Sequence, residues 1–361
     1  MTIQFTLNDQ IVEAQDGQTV LEVARANGIV IPTLCYHKHL PVVGSCRLCV
    51  VEVEGARVPQ AACGLAVREG MIVRTETPDI VRARRTILEL LLANFHDAGY
   101  TPDQTDSEFM HWVKLYRAQR PDGLTPRTQR PVNSDPNPFV WVDMNKCILC
   151  TRCVRACADV QGRFVWRTGG RGAATEIVSG LNTMMLAARC ESCGACVAYC
   201  PTGALADKMS IQSGRPDKTV TTTCPYCGVG CQFDINVKDN RIVRVTSNPD
   251  APVNGMHLCV KGRYGWDFVH HPDRVKRPLV REYLLKGGVR EYGGRGEWIE
   301  TDWDTALGIT ARKLREAREA HGPDSVGVLT SAKCLNEENY LMNKFARQVI
   351  GTNNIDHCAR L

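Results

Sequence analysis

Sixteen of the eighteen cysteines in this 361-residue chain fall into four sets of four. The sets are Cys35, Cys46, Cys49 and Cys63; Cys147, Cys150, Cys153 and Cys157; Cys190, Cys193, Cys196 and Cys200; and Cys224, Cys227, Cys231 and Cys259. Four thiolates are what one iron–sulfur cluster requires. Four such sites along one polypeptide would carry electrons one at a time. Only Cys334 and Cys358 stand outside the sets.

The second and third sets form the chain's only repeat, CILCTRCVRAC and CESCGACVAYCP. In C-x2-C-x2-C-x3-C, three thiolates hold one cluster and the fourth reaches its neighbour. The expected [4Fe–4S] ligand sets are therefore Cys147, Cys150, Cys153 with Cys200, and Cys190, Cys193, Cys196 with Cys157. Pro201 follows Cys200 as the motif expects, whereas Ala158 follows Cys157. Zinc is the plain alternative, but its ligands typically come as two C-x2-C pairs. The first set, C-x10-C-x2-C-x13-C, departs from the plant-type C-x4-C-x2-C. The pattern of elements before it favours [2Fe–2S] over zinc. The fourth set, C-x2-C-x3-C-x27-C, is the weakest alone, and its neighbours favour [4Fe–4S] there too.

Other candidates carry less. Lys261, two residues after Cys259, reads either as a surface lysine or as a cation steadying negative charge between a cluster and a second cofactor. His96 would need cysteines soon after it to be a ligand. None occurs between Cys63 and Cys147 and position 100 is Tyr100, so His96 reads as a helix C-terminal residue favoured by the dipole. His270-His271 precedes Pro272 and reads as loop; Cys334 and Cys358 read as buried small residues. No nucleophile elbow, Walker loop or G-x-G-x-x-G sits in a strand–helix context, so the chain itself is not expected to bind NAD.

The elements that must position these residues change along the chain. Residues 2–15 alternate about a turn at Asn8-Asp9 and read as a hairpin. Thr19 and Glu22 form a capping box opening a short helix that Gly28 closes. With the strand-like Leu48–Val53, this matches a β-grasp ferredoxin over residues 1–78. Asp79 is expected to cap a helix Ile80–His96 ended by Gly99. The six prolines of 101–138 indicate a linker with an amphipathic turn near Phe109–Tyr116, so 79–138 reads as helix plus linker. A strand Phe139–Val142 opens a two-[4Fe–4S] ferredoxin domain, 139–210. Polar residues 208–222 lead to CPYCGVGC, with strands Phe233–Val237 and Arg241–Thr246 returning the chain to Cys259. The helix Asp304–His321, strand Ser325–Thr330 and helix Glu337–Ile350 look like the opening of an alternating α/β domain, too short to close a core. The fold class is multidomain α+β.

Composition narrows the function. Charged residues are 23% and hydrophobic ones 43%, ordinary globular values. No run of 18 apolar residues appears, and the N-terminus does not read as a signal peptide. Arg84-Arg85 lies too deep for an export signal. A cytoplasmic setting is expected, which suits cysteines used for metal. The formal charge of +5 counts every Cys as neutral. Four oxidised clusters at roughly −2 each would bring it to roughly −3, and no Lys/Arg block marks a nucleic-acid arm. Neither nucleic acid nor a membrane span is expected.

The segments TTTCPYCGVGC and CVKGRYGWDFVHHPDR resemble the N-terminal cluster domain of molybdopterin oxidoreductases, over 217–275. SAKCLNEENYLMNKFARQVIGTNNIDHCARL is similar to the segment leading to the metal-ligating residue of formate dehydrogenases. The order of the four sites resembles the alpha subunit of cytoplasmic, NAD-linked molybdenum or tungsten formate dehydrogenases. Relatives include the large cluster-bearing subunit of respiratory NADH:quinone oxidoreductase and hydrogenase diaphorases. Many carry a His-ligated cluster, H-x3-C-x2-C-x5-C, from which this chain departs at Tyr100.

The resemblance implies formate oxidation to CO2, or the reverse, at a metal held by two pterin guanine dinucleotides. Electrons would pass Lys261 to the Cys224–Cys259 cluster, cross the paired clusters and reach the [2Fe–2S] site. It further implies a beta subunit carrying FMN and NAD, and a small [2Fe–2S] gamma subunit. Residues 276–361 would be the start of the α/β pterin-binding domain. The family's Cys or selenocysteine metal ligand lies just after position 361, so the chain is expected to be part of a longer protein. The competing reading is an electron relay with no substrate site. A nitrate reductase is disfavoured by the NEENY–NNIDHCAR segment and the N-terminal [2Fe–2S] module.

Overall fold

The computed structural model describes residues 2–97, 107–123, 129–287, 294 and 296–358. Tyr100, Gly99 and the last residues of DHCAR lie outside them. The chain divides into two compact units: Met1–Val220 with Asp234–Asp250 and Asn254–Tyr264, and Thr221–Phe233 with Ala251–Val253 and Gly265–Leu361.

The first unit opens with the hairpin β1 (Thr2–Leu7) and β2 (Gln10–Gln15), antiparallel in full register from Thr2↔Gln15 to Leu7↔Gln10. Asn8 and Asp9 both take positive φ, 50° and 64°, as a tight primed turn requires. Helix α1 (Val20–Ala26) starts at the Thr19–Glu22 capping box. With β3 (Val50–Val53), β4 (Gln60–Ala61) and β5 (Ile72–Arg74) the hairpin makes a five-stranded sheet, order β2-β1-β5-β3-β4. Only β1 and β5 are parallel among the registered pairs, the β-grasp arrangement. Phe5, Leu7, Val12, Val20, Leu21, Val51 and Val73 fill its core.

Helix α2 (Pro78–Leu92) corrects the sequence expectation at both ends. Its N-cap is Thr77, whose hydroxyl accepts from Ile80 N–H. Pro78 fits the first turn because no N–H is needed there, and Asp79 only complements the dipole. The helix stops at Leu92, so His96 is not in its last turn; the His96 backbone N–H instead donates to the Asn145 carbonyl at 2.9 Å. The expected amphipathic turn is the helix α3 (Glu108–Leu115), packed on α2 rather than lying free. Leu88, Leu92, Phe95, Phe109, Val113 and Tyr116 form one apolar cluster that also takes in Leu34, Cys35, Leu48, Ile148 and Cys150. Arg84 is fully buried and donates to the Val50 carbonyl, Tyr116 hydroxyl and Glu76, which ties α2 to β3 and α3.

Next come β6 (Val140–Val142), α4 (Arg152–Arg155), the hairpin β7 (Trp166–Gly169) and β8 (Glu176–Ser179), α5 (Ala195–Tyr199) and β9 (Leu205–Asp207). Pairing of β6 with β9 closes the segment on itself, and the β7–β8 hairpin occupies the long connection between the cysteine runs. The aliphatic side chains Val140, Val165 and Leu205 share its core with Trp166, Cys153, Cys157 and Cys196. Strands β10 (Lys218–Thr223), β11 (Gln232–Lys238) and β12 (Arg241–Ser247) form a three-stranded sheet in that order, and α6 (Val260–Tyr264) follows Cys259.

The second unit holds the antiparallel pair β13 (Leu279–Arg281) and β14 (Trp298–Glu300), the short α7 (Glu282–Leu285), and α8 (Trp303–His321), capped by Asp302. A turn over Pro323–Ser325 shortens the expected strand to β15 (Val328–Thr330), which pairs in parallel with β16 (Ile355–His357) across α9 (Asn336–Lys344) and its wide-turn continuation Phe345–Ile350. Two residues expected to be buried are not: Cys334 is half-buried and Cys358 exposed, its Sγ 3.4 Å from Ser331 Oγ. The short strand and surface helix leave them no apolar enclosure. His270 ends a single 3-10 turn, Asp267–His270, and His271 follows it.

Candidate functional site

Two enclosed cavities in the first unit are each lined by four thiols. Cys147, Cys150, Cys153 and Cys200 face one, together with Ile148, Ile177 and Leu205. Cys157, Cys190, Cys193 and Cys196 face the other, beside Val140, Val165 and Trp166. In each, three thiols come from one cysteine run and the fourth from the other. The crossing follows from the helices: the fourth cysteine of each run stands at the far end of α4 or α5, remote from the loop that holds the first three.

The loops repeat residue for residue. Leu149 and Thr151 take positive φ, 56° and 58°; their counterparts Ser192 and Gly194 take 55° and 71°. Such a backbone is unfavourable for residues with a Cβ, and here it turns amides toward sulfur. Leu149 N–H donates to Cys147 Sγ at 3.4 Å and Ser192 N–H to Cys190 Sγ at 3.3 Å. Val165 N–H reaches Cys157 Sγ at 3.3 Å, and Asn137 Nδ2 lies 3.8 Å from Cys190 Sγ while donating to Ser192 Oγ. The helix carrying Cys157 widens to π geometry over Ala156–Val160, a local change that re-aims a side chain.

Burial dominates the electrostatics of five of these thiols. It pushes Cys150 up to about 12, Cys153 and Cys196 well above the ordinary thiol range, and Cys190 and Cys193 upward against the amides of Ser192 and Ala195. Buried thiols of this kind remain neutral unless a cation shares the cavity. Metal binding would release their protons.

The first set lies on the loops around β3. Cys35 and Cys46 exchange contacts, Cys35 N–H to Cys46 Sγ at 3.4 Å and Cys46 N–H to Cys35 Sγ at 3.5 Å. A hydrogen bond from the Cys46 thiol lowers Cys35 to about 5 against its burial, and one from Cys63 lowers Cys49 to about 7. Cys46 and Cys63, the donors of those bonds, are pushed up. All four thiols therefore act on one another.

Of the fourth set, Cys224, Cys227 and Cys231 lie in the second unit on the loop between β10 and β11, where Cys224 N–H donates to the Cys231 carbonyl at 2.7 Å. Asn336, the first residue of α9, donates to the Gly228 carbonyl of that loop at 2.8 Å. Cys259 belongs to the first unit and is exposed. Lys261 is exposed on α6. The cation of that helix with defined contacts is Arg263: its Nε donates to the Cys193 carbonyl at 3.1 Å and its Nη2 to Ser247 Oγ at 2.7 Å. Tyr264 stacks on Phe139 with ring centroids 4.6 Å apart.

Sequence reasoning passed over three buried arginines here. Arg152 and Arg155 lie inside the run CTRCVRAC, and Arg263 follows Cys259 in CVKGR. Their signal was their position within cysteine runs, which invites reading them as solvated faces of short helices. Arg152 donates to the Tyr36 carbonyl and pairs with Glu108; Arg155 donates to the carbonyls of Pro41, Cys35 and Cys150.

The donor chemistry fits clusters. Each cavity offers four sulfurs and amides aimed at sulfur; the first has no carboxylate or imidazole among its lining groups, whereas Arg163 and Glu191 join the apolar residues of the second. Among the described residues no three His, Cys, Asp or Glu side chains converge as ligands of one small ion would.

Known proteins share this organisation. Residues 1–78 match a 2Fe-2S iron-sulfur cluster binding domain and 137–206 the ferredoxin-like domain of NADH-quinone oxidoreductase subunit 3. Residues 217–271 match the molybdopterin oxidoreductase Fe4S4 domain, and 274–361 molybdopterin oxidoreductase. The NADPH-Fe(3+) oxidoreductase subunit alpha of Geobacter sulfurreducens is 35% identical over 99% of this chain and 40% of its own length. An NADH-quinone oxidoreductase subunit of Rhizobium meliloti is likewise 35% identical, over 99% and 40%. A putative formate dehydrogenase of Staphylococcus aureus is 28% identical over 98% and 39%. A crystal structure of an NAD+-reducing [NiFe]-hydrogenase superposes at a TM-score of 0.51 with 33% identity, over 60% of this chain and 92% of that one. The chain thus spans about 40% of the length of the curated relatives it matches. Among the described residues no helix is long and apolar enough to cross a membrane.

Proposed function

Because the chain belongs to the family that joins cluster-bearing subunits of NADH-quinone oxidoreductase with the molybdopterin oxidoreductases, we propose that it is the electron-carrying portion of a longer, multisubunit enzyme. The observation that carries this reading is the pair of four-thiol cavities with crossed ligand sets. The proposed [4Fe–4S] ligands are Cys147, Cys150, Cys153 and Cys200; Cys190, Cys193, Cys196 and Cys157; and Cys224, Cys227, Cys231 and Cys259. Cys35, Cys46, Cys49 and Cys63 would hold a [2Fe–2S] cluster. Clusters in these sites supply reversible one-electron transfer, and a pterin-bound molybdenum or tungsten in the whole protein would supply the two-electron chemistry.

The polypeptide's part is placement and tuning. Apolar walls keep water from the buried sulfurs. Amides of Leu149, Val165 and Ser192 offset thiolate charge, which raises the potential at which a site accepts an electron. Lys261, two residues beyond Cys259, would steady negative charge near the fourth site.

For the whole protein we propose formate as the substrate, CO2 as the product and a flavin- and NAD-binding partner as the acceptor, with a small [2Fe–2S] subunit beside it. NEENY–NNIDHCAR and the similarity to a putative formate dehydrogenase support this. The higher identity to an NADPH-Fe(3+) oxidoreductase and a quinone reductase subunit favours a relay without formate chemistry. Anaerobic addition of formate to the full-length holoprotein decides between them. Bleaching of the cluster absorbance by formate supports the first reading; reduction by NADH through the partner with no response to formate leaves only the relay.

A further inference from the structure

Arg155 joins Cys35 and Cys150, members of two different cysteine sets that lie more than a hundred residues apart in the sequence. Its Nη2 donates to the Cys35 carbonyl at 2.6 Å and to the Cys150 carbonyl at 3.1 Å, while Nη1 donates to the Pro41 carbonyl at 2.5 Å. Cys35 belongs to the first set and Cys150 to the second, and both sit in the same apolar cluster with Leu34, Leu48, Leu88 and Ile148. One guanidinium nitrogen therefore touches the backbone of a ligand on each side.

Charge makes this contact more than a tether. All three acceptors of Arg155 are neutral carbonyls, and the residue is buried. Its neighbour Arg152, more deeply buried, is ion-paired with Glu108 at 2.8 Å. Among the described residues no carboxylate bonds to Arg155, and Asp159 acts on it only through its charge; a buried cation held by carbonyls acts on surrounding charge more strongly than an ion-paired or solvated one. A guanidinium also keeps its charge at every accessible pH.

Resting on the ligand sets proposed above, we infer that Arg155 is a shared positioning residue. It holds the Cys35 loop against the Cys150 loop, and its single charge raises the reduction potentials of the [2Fe–2S] site and the Cys147 [4Fe–4S] site together. The sign follows from electrostatics: a fixed positive charge favours the form that carries one more electron. Two sites tuned by the same cation also keep their potentials in step, which suits transfer in either direction between them.

The test is an EPR-monitored redox titration of the anaerobically purified holoprotein and of Arg155→Met, with Arg152→Met as the comparison. Iron content and the parental signals come first. A parent lacking a [2Fe–2S] signal would remove the ligand assignment itself, independently of Arg155. With both signals present, Arg155→Met should lower the one-electron reduction constant of both sites at least tenfold, about 59 mV for a one-electron couple. Arg152→Met should move them less. Unmoved potentials, or a shift at one site alone, would overturn the inference. Should Arg155→Met lose iron, Arg155→Gln decides, because it keeps amide donors for the carbonyls of Cys35 and Cys150 and carries no charge. Both potentials should then fall as for Arg155→Met. Unmoved potentials in Arg155→Gln would equally overturn the inference.

Discussion

Arg263 Nε donates to the backbone carbonyl of Cys193 at 3.1 Å. This single bond fastens the segment after Cys259 to the run that contributes Cys190, Cys193 and Cys196 to one cavity. It also explains the residue beside Cys193. A Cβ on Gly194 would stand 2.2 Å from Arg263 Cδ and 2.6 Å from the Tyr264 hydroxyl, and Gly194 holds φ +71°. Gly194→Ala is therefore expected to destabilise the holoprotein by about 2–4 kcal/mol, the left-handed backbone and overpacking acting together. Gly172→Ala, also at positive φ (+57°) but with nothing within 4 Å of the added Cβ, carries the backbone strain alone and should cost less. Denaturant unfolding of the two variants checks the difference; equal losses would mean that Arg263 does not define this site.

Cys157 tests the crossed ligand sets. It follows Cys153 in sequence yet lines the cavity of Cys190, Cys193 and Cys196. Cys157→Ser should alter or abolish the EPR signal of that site and leave the signal of the Cys147 site intact. Cys200→Ser should do the reverse. If each serine perturbed the site of its own run, the assignment would be wrong.

How much of this was legible in the sequence follows from what each feature depends on. The hairpin and the Thr19–Glu22 capping box depend on residues close in sequence, and both appear in the structure. The cap of α2 was misplaced by two residues because Asp79 and Thr77 are both good caps, and Pro78 at the first turn settles which one is used. The α3 helix was anticipated only as one amphipathic turn near Phe109–Tyr116 in a proline-rich stretch; packing of Phe109 and Val113 on α2 stabilises it, and local propensity does not reveal that. Arg152, Arg155 and Arg263 escaped notice because their partners are carbonyls distant in sequence. Nothing in CTRCVRAC states that an arginine will find Cys35.

Lys261 remains exposed on α6, two residues from Cys259. Lys261→Ala should leave iron and sulfide content unchanged and slow electron entry at the fourth site, measured by stopped-flow reduction of the holoprotein. Unaltered rates would defeat its proposed role.

Removal of metal should unfold the chain unevenly. The core around β6 and β9 includes Cys153, Cys157 and Cys196, with Cys147, Cys190 and Cys200 packed against it. The β-grasp core is dominated by Phe5, Leu7, Val20, Leu21, Val51 and Val73. Folding free energy in the first case comes largely from ligation, and in the second from apolar burial. After anaerobic chelation, hydrogen exchange should accelerate across 140–207 while β1, β2 and α1 stay protected. Loss of protection in the hairpin first would contradict this division.

The most direct measurement is iron, acid-labile sulfide and zinc content on anaerobically purified protein, with EPR of the reduced form. One [2Fe–2S] and three [4Fe–4S] sites require about fourteen iron and about fourteen sulfide per chain, negligible zinc, and signals from both cluster types. A colourless protein containing stoichiometric zinc and no sulfide would contradict the account at its root.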